Sequence, residues 1–246
     1  MKTKITYIHH SSFSVETDDF TLLFDYYKGT IPAFHPDKPV YVFASHKHHD
    51  HFDLSIFNLS GLYPRVTYIL SSDIRMNTAY MERRQVPVKA RDHIIYMKKN
   101  AFLTLEEDTP SPLMIETLAS NDAGVAFIIQ YGTLRIYHGG DLNWWSWREE
   151  TDTVNDVLTG LFIREMHKIE GQSFDIAFLP LDPRLDDRFA WGFDYFMRST
   201  ETLFAFPMHF WEDYSVIPLL KSAAVSMPYR DKIMEIKEAG QEFLLP

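Results

Sequence analysis

Four residues able to bind a metal, His46, His48, Asp50 and His51, fall within six positions of one another. His46 and His48 are two apart, so in an extended segment their side chains point to the same side. Asp50 and His51 follow at once, where the chain must turn, and all four can converge on one small volume from a single loop. Neutral imidazoles and a carboxylate suit zinc, iron or manganese. The alternative is a plain polar loop. Its place directly after a short apolar run argues for the metal reading.

That apolar run is Tyr41 to Ala44, β-branched and aromatic, which predicts a buried strand ended by Ser45. Upstream, residues 4 to 25 predict a series of strands: Ile5, Tyr7, Phe13 and Val15 alternate with polar positions, and Phe20 to Phe24 is an apolar run closed by Asp25. Gly29 and three prolines over residues 30 to 40 mark a loop. Beyond the histidines the pattern predicts a short helix over Ser55 to Leu59 and a strand over Val66 to Leu70. A helix over about 74 to 84 follows, capped from Ser71, Ser72 and Asp73. Val86 to Thr117 reads as a meander of strands with turns at Lys98 to Asn100 and at Asp108 to Pro110. A hairpin follows, Val125 to Gln130 and Leu134 to Tyr137, whose second strand runs into His138, Gly139, Gly140 and Asp141.

In the second half, Asp152 to His167 has helical spacing, with Val154, Val157, Leu158, Leu161, Phe162 and Met166 on one stripe and Thr151 or Asp152 as cap. Asp175 to Leu181 predicts a buried strand, Phe196 to Phe204 a helix, and Ala205 to His209 a last short strand. Two closing helices are expected over Pro218 to Ala224 and Asp231 to Ala239. With no repeat, low-complexity segment or linker, the expectation is one α/β domain over residues 1–246.

Composition narrows the function. At 246 residues with 46% hydrophobic and 15% aromatic content, the chain can bury a proper core. Its net charge of −10 argues against a nucleic-acid surface, while leaving room for an anionic substrate at a locally cationic site. The absence of cysteine rules out disulfides, a thiol nucleophile and thiolate-bound zinc. No apolar run approaches a membrane span and the start lacks a signal-peptide core, so a cytoplasmic protein with no membrane partner is expected. A homo-oligomer stays open.

The spacing of His46, His48, Asp50 and His51 resembles the signature of the metallo-β-lactamase-fold hydrolases, and the surrounding stretches resemble the branch with the L-ascorbate-6-phosphate lactonase-like enzymes. The resemblance implies a four-layer αββα sandwich with one or two divalent metal ions (Zn, Mn or Fe) at one edge of the paired sheets. It maps Asp141, after Gly139 and Gly140, onto an aspartate that typically bridges two metals. It maps His209 onto a late histidine that binds the second metal with Asp50 and His51. Asp25 resembles the family's first motif, a strand-end carboxylate that hydrogen-bonds a metal-ligating histidine and so fixes its tautomer. The chain departs from the family at the third motif, because no histidine lies between His93 and His138. Two alternatives follow. Asp122, in the matching stretch, replaces it as an oxygen ligand favouring a harder metal. Otherwise one metal sits on Asp50, His51, Asp141 and His209.

Other residues invite roles. His10, beside Ser11, resembles the Gly-His-Ser turn of the lactonase-like branch and is a candidate pocket or metal residue, with a plain hairpin turn as the alternative. His138 reads as structural and His49 as solvent-facing. Trp144, Trp145 and Trp147 read as packing or as a pocket wall. Arg184, after Asp182, reads either as a bidentate phosphate or carboxylate binder or as a surface salt bridge. The expected function is hydrolysis by a metal-bound hydroxide, oriented by Asp50, of a small anionic ester, lactone or phosphodiester substrate. The competing expectation is a non-catalytic metal-binding or sensor protein on the same fold.

Overall fold

A computed structural model describes residues 2–109 and 111–246. Two compact units divide the chain, Met1–Lys98 with Glu238–Pro246, and Lys99–Lys237.

The first unit is built on strands β1 (Thr3–His9), β2 (Ser12–Glu16), β3 (Thr21–Phe24), β4 (Val40–Ala44), β5 (Val66–Ser71) and β6 (Ile94–Met97). Helices α1 (Leu59–Leu62), α2 (Thr78–Arg83) and α3 (Val88–Arg91) lie between the later strands. β1 to β3 pair antiparallel and β3 to β6 parallel. Every residue of β3 and β4 is buried, as the unbroken apolar runs of strands covered on both faces require. From β4, Val40, Val42 and Ala44 join Leu23, Tyr68 and Leu70 in a core that takes Ile56, Phe57 and Leu59 from the connection after the histidines. Each fully buried side chain of this size contributes about 1.5–3 kcal/mol, so the histidine loop is anchored at both ends.

The second unit carries β7 (Phe102–Leu105), β8 (Leu113–Ala119), β9 (Val125–Tyr131), β10 (Leu134–His138), β11 (Ser173–Pro180) and β12 (Glu201–Met208), with helices α4 (Asp152–Met166), α5 (Trp191–Ser199) and α6 (Val216–Ser222). Its sheet runs β12-β11-β10-β9-β8-β7. β10, β11 and β12 are parallel and the other pairs antiparallel. The chain then returns to the first sheet, where β13 (Glu242–Leu245) adds antiparallel to β1 and makes it seven-stranded. Among the described residues no helix is long and apolar enough to cross a membrane.

Several expected elements take another form. The helix expected over Phe196 to Phe204 is displaced: α5 stops at Ser199 and β12 starts at Glu201. Thr200 makes the break, in extended conformation with its Oγ1 donating to Phe196 O at 2.9 Å. The helix expected over Asp231 to Ala239 does not form. Ile233 instead bridges Ala205 in parallel, and Met234 N–H donates to Ala205 O at 2.8 Å. Backbone donors spent on a neighbouring strand cannot serve a helix. The helix expected from about 74 is α2, capped by Asn77 Oδ1 on Tyr80 N, while Ser72–Ile74 forms only a 3₁₀ turn. The meander expected over Val86 to Thr117 opens on α3. Its turn at Asp108 to Pro110 falls partly outside the described residues, Pro110 being the residue concerned. On α4, capped by Thr151 as expected, Phe162 and Met166 are buried, but Val154 and Val157 face out and Asn155 and Glu165 turn in.

Candidate metal centre

In the first unit, three parallel strands end side by side, and their carboxyl ends supply the polar residues. β3 hands over to Asp25, whose φ of +43° lies in the left-handed region that aspartate tolerates better than most residues. Its N–H still donates to Phe43 O at 2.9 Å, which holds it against the end of β4. Past β4, Ser45 and His46 are buried, Lys47, His48 and His49 are exposed, and Asp50 and His51 are buried again. A turn closed by His51 N and Phe52 N on His48 O, both at 3.1 Å, brings the chain back.

Asp25 organises this loop. Its Oδ1 accepts from Ser45 N at 2.7 Å, and its Oδ2 faces Ser45 Oγ at 2.6 Å and His51 Nδ1 at 2.7 Å. An ionised carboxylate only accepts, so His51 carries its proton on Nδ1 and presents the lone pair of Nε2. The single hydroxyl proton of Ser45 likewise goes to Asp25. Ser45 Oγ, 2.9 Å from His46 Nδ1, must then accept, and His46 also presents Nε2 as a lone pair. One carboxylate thus fixes two imidazoles in the tautomer that ligates through Nε2.

The donors converge. Ligand atoms of His46, His48 and Asp50 lie within 4.8 Å of one another, as do those of His10, Asp50 and His51. His51 Nε2 is 3.9 Å and His10 Nε2 3.6 Å from Asp50 Oδ2. His10 is fully buried in the turn between β1 and β2, with its ring edge-on to His51 at 5.7 Å.

The second unit repeats the construction. β10, β11 and β12 run parallel, with His138 opposite Phe178 and Pro180 opposite Met208. The residues just beyond their carboxyl ends, Asp141, Asp182 and His209, therefore gather at one sheet edge. Gly140 has a φ of +50°, and a Cβ on Gly139 would meet Pro180 Cδ at 3.2 Å, so this glycine pair lets the chain turn tightly against β11. Buried Asp141 places Oδ1 3.3 Å from His209 Nε2. His209 Nδ1 lies 3.0 Å from Asp182 Oδ2. Asp182 is fully buried and grips Arg184, whose Nε lies 2.9 and 3.0 Å from its two oxygens. Burial pushes the Asp182 carboxyl up, but hydrogen bonds from His209 and Arg184 outweigh it and hold the group below its usual value.

Asp122 is exposed, with a carboxylate oxygen within 4.8 Å of one on Asp141. Two loops are tied together to place it: Asn121 Nδ2 donates to Asn143 O at 2.9 Å, and Asn143 N donates to Asn121 Oδ1 at 3.3 Å. Carboxylates this close repel unless a cation or proton sits between them. His138 is buried, with Nδ1 accepting from Gly140 N at 3.2 Å, a structural contact. Trp145 donates Nε1 to Asp141 O at 2.8 Å and packs edge-on to His209. Sequence reasoning had no role for Ser45 and none toward His209 for Asp182. The signal for Asp182 was present, a carboxylate directly after a buried strand, as at Asp25.

Residues 4–158, more than half the chain, match the model described as the β-lactamase superfamily domain. The chain belongs to that superfamily, and its two-sheet α/β architecture is the metallo-β-lactamase fold. It is similar to the structure of Igni18, a novel metallo hydrolase from the hyperthermophilic archaeon Ignicoccus hospitalis, at 17% identity, covering 100% of this chain and 99% of that one with a TM-score of 0.65. Zn²⁺-bound PqqB from Methylobacterium extorquens aligns at 14% identity over 99% of both chains with a TM-score of 0.52. CmlA, a diiron β-hydroxylase from Streptomyces venezuelae, aligns at 11% identity over 96% of this chain and 47% of that one with a TM-score of 0.51. Among proteins of curated function, none matches the sequence.

Proposed function

We propose that the protein is a metal-dependent hydrolase acting on a small anionic ester, lactone or phosphodiester substrate. His46, His48, Asp50, His51, Asp141 and His209 would hold one or two divalent ions, with the whole chain working as a single domain. The observation that carries this reading is the proton arrangement around Asp25. It sets both His46 and His51 in the tautomer whose Nε2 is unprotonated, the form that ligates a metal. A purely structural histidine cluster has no need of that tautomer.

The donor set fits the metal. It is all imidazole nitrogen and carboxylate oxygen, the chemistry of zinc, manganese and iron. The similar folds of a zinc-bound protein and a diiron protein support that range. Asp122 takes the place of the third-motif histidine, supported by its carboxylate beside that of Asp141. Those residues would hold an ion that, when bound, would supply Lewis acidity toward a carbonyl or phosphoryl oxygen and lower the pKa of a water toward neutrality. Asp50 orients the attacking water and accepts its proton. His10, fully buried and 3.6 Å from Asp50, is placed to return that proton to the leaving oxygen. The His10 turn supports a lactone as the first substrate class to try.

The test is elemental analysis of untagged protein purified without chelator, joined to a panel of ester, lactone and phosphodiester substrates. Bound metal together with turnover of at least one class is expected. Full metal loading with no turnover anywhere would leave the metal-binding or sensor reading, and no metal even after reloading would overturn both.

A further inference from the structure

Arg184 is held more elaborately than a surface salt bridge requires. Its guanidinium grips Asp182 through Nε and Nη2, and its backbone N–H donates to Asp182 Oδ1 at 2.9 Å. The faces of the group are held too: its central carbon lies 5.4 Å from the Trp147 ring centroid and 5.2 Å from that of Trp211. Trp211 owes its position to a strained turn, with φ of +65° at His209 and +49° at Trp211. Yet the Arg184 side chain stays 50% accessible while Asp182 is wholly buried. The same Oδ2 that takes Nη2 also faces His209 Nδ1, so the cation stands one carboxylate away from a proposed metal ligand. Asp186 and Asp187, two and three residues on, both pair with Arg148.

A planar cation fixed along one edge and over its rings, yet half open to solvent, is a ready receptor for a planar or tetrahedral oxyanion. The guanidinium fork matches carboxylate and phosphate alike, and because it is already immobilised, little further entropy is lost on binding. The chain's net charge of −10 gives no general attraction for anions, so such recognition must be local. We propose that Arg184, set by Asp182, Trp147 and Trp211, binds the carboxylate or phosphate that the substrate carries away from the bond being cut. This assignment rests on the hydrolase reading above and names the group that makes the substrate anionic.

The aromatic setting supplies its own readout. Inorganic phosphate, D-gluconate and 6-phospho-D-gluconate would each be titrated into the zinc-loaded full chain, following tryptophan fluorescence, and again into Arg184→Met and Arg184→Lys. Metal per chain would be measured in all three proteins. The expected result is a dissociation constant about ten- to a hundredfold higher in Arg184→Met, partly recovered in Arg184→Lys, with metal content unchanged. Whether phosphate or gluconate shows the Arg184-dependent response tells which anion is read. Unchanged affinity in Arg184→Met, no response of the wild type to any probe, or loss of metal with Arg184 would each overturn the assignment. Arg184-dependent binding in a protein that hydrolyses nothing would overturn the hydrolase reading and leave anion recognition standing.

Discussion

Asp25 and Asp182 do the same work in two different units. Each is fully buried, each follows a strand of a parallel set, and each holds the Nδ1 side of a histidine, His51 at 2.7 Å and His209 at 3.0 Å. Each turns the histidine's Nε2 toward a carboxylate, Asp50 at 3.9 Å and Asp141 at 3.3 Å. They differ in what steadies the orienting group. Asp25 is satisfied by the neutral donors of Ser45, N–H and hydroxyl, out of reach of solvent ions. Asp182 leans on the half-exposed cation Arg184. The first arrangement is built for rigidity, and the second ties the histidine's support to a group that solvent and ligands can reach.

The largest effect is expected on the rigid side. Asp25→Ala strips the acceptor from Ser45 N–H, Ser45 Oγ–H and His51 Nδ1–H in a site closed to water, which should cost about 3–5 kcal/mol in a urea titration. A loss under about 1 kcal/mol would mean that Asp25 is not the organising group.

Next in size are the isosteric changes Asp25→Asn and Asp182→Asn, each of which keeps volume but no longer obliges the histidine to present Nε2. Each should weaken metal binding about 10- to 100-fold in a chelator competition. If the donors of both units serve one centre, the double variant will deviate from the sum of the singles. Strict additivity would indicate two independent sites.

The strand ends at Asp25 and Ala44, and the hairpin into Asp141, were legible because apolar runs stop there at polar residues. Asp182 was not legible as the partner of His209, because 27 residues separate them and only the parallel register of β11 on β12 brings them level. The helices expected over Phe196 to Phe204 and Asp231 to Ala239 failed for a related reason. Both stretches have helical apolar spacing, but Thr200 ends one helix, and sheet pairing at Ala205 claims the backbone of the other stretch. The apolar stripe puts Val154 and Val157 on the wrong face because a branched apolar residue on a helix is weak evidence of burial when the buried polar positions, Asn155 and Glu165, are set by side-chain hydrogen bonds. Asn155 bonds to the backbone of Trp147, and Glu165 accepts from Ala119 N–H.

A smaller pair of variants sharpens the contrast of neutral against charged support. Ser45→Ala removes a buried neutral hydroxyl and should cost about 1–1.5 kcal/mol, equally at low and high salt. Arg184→Met removes a half-exposed charge from a buried carboxylate, and the destabilisation it causes should shrink as salt is raised. Measuring both at 0.05 and about 0.5 M salt, on the scale where the screening length falls from more than 10 Å toward 4 Å, decides the point. Equal salt dependence in the two would erase the distinction between the units.

The smallest effect on stability, and the most telling for the metal count, belongs to Asp122→Ala. Asp122 is exposed, so its removal should change unfolding free energy by no more than about 0.5 kcal/mol. Its loss would also relieve the repulsion with Asp141 in the metal-free protein, since their carboxylate oxygens approach within 4.8 Å. The metal-free variant should therefore be as stable as the metal-free parent or slightly more so, while the loaded variant is less stable than the loaded parent, because a ligand that binds only the folded state stabilises it. Metal per chain should fall from two to one. A second ion retained in Asp122→Ala would mean that Asp122 does not replace the missing histidine, and a single ion in the parent itself would place the chemistry on Asp50, His51, Asp141 and His209 alone.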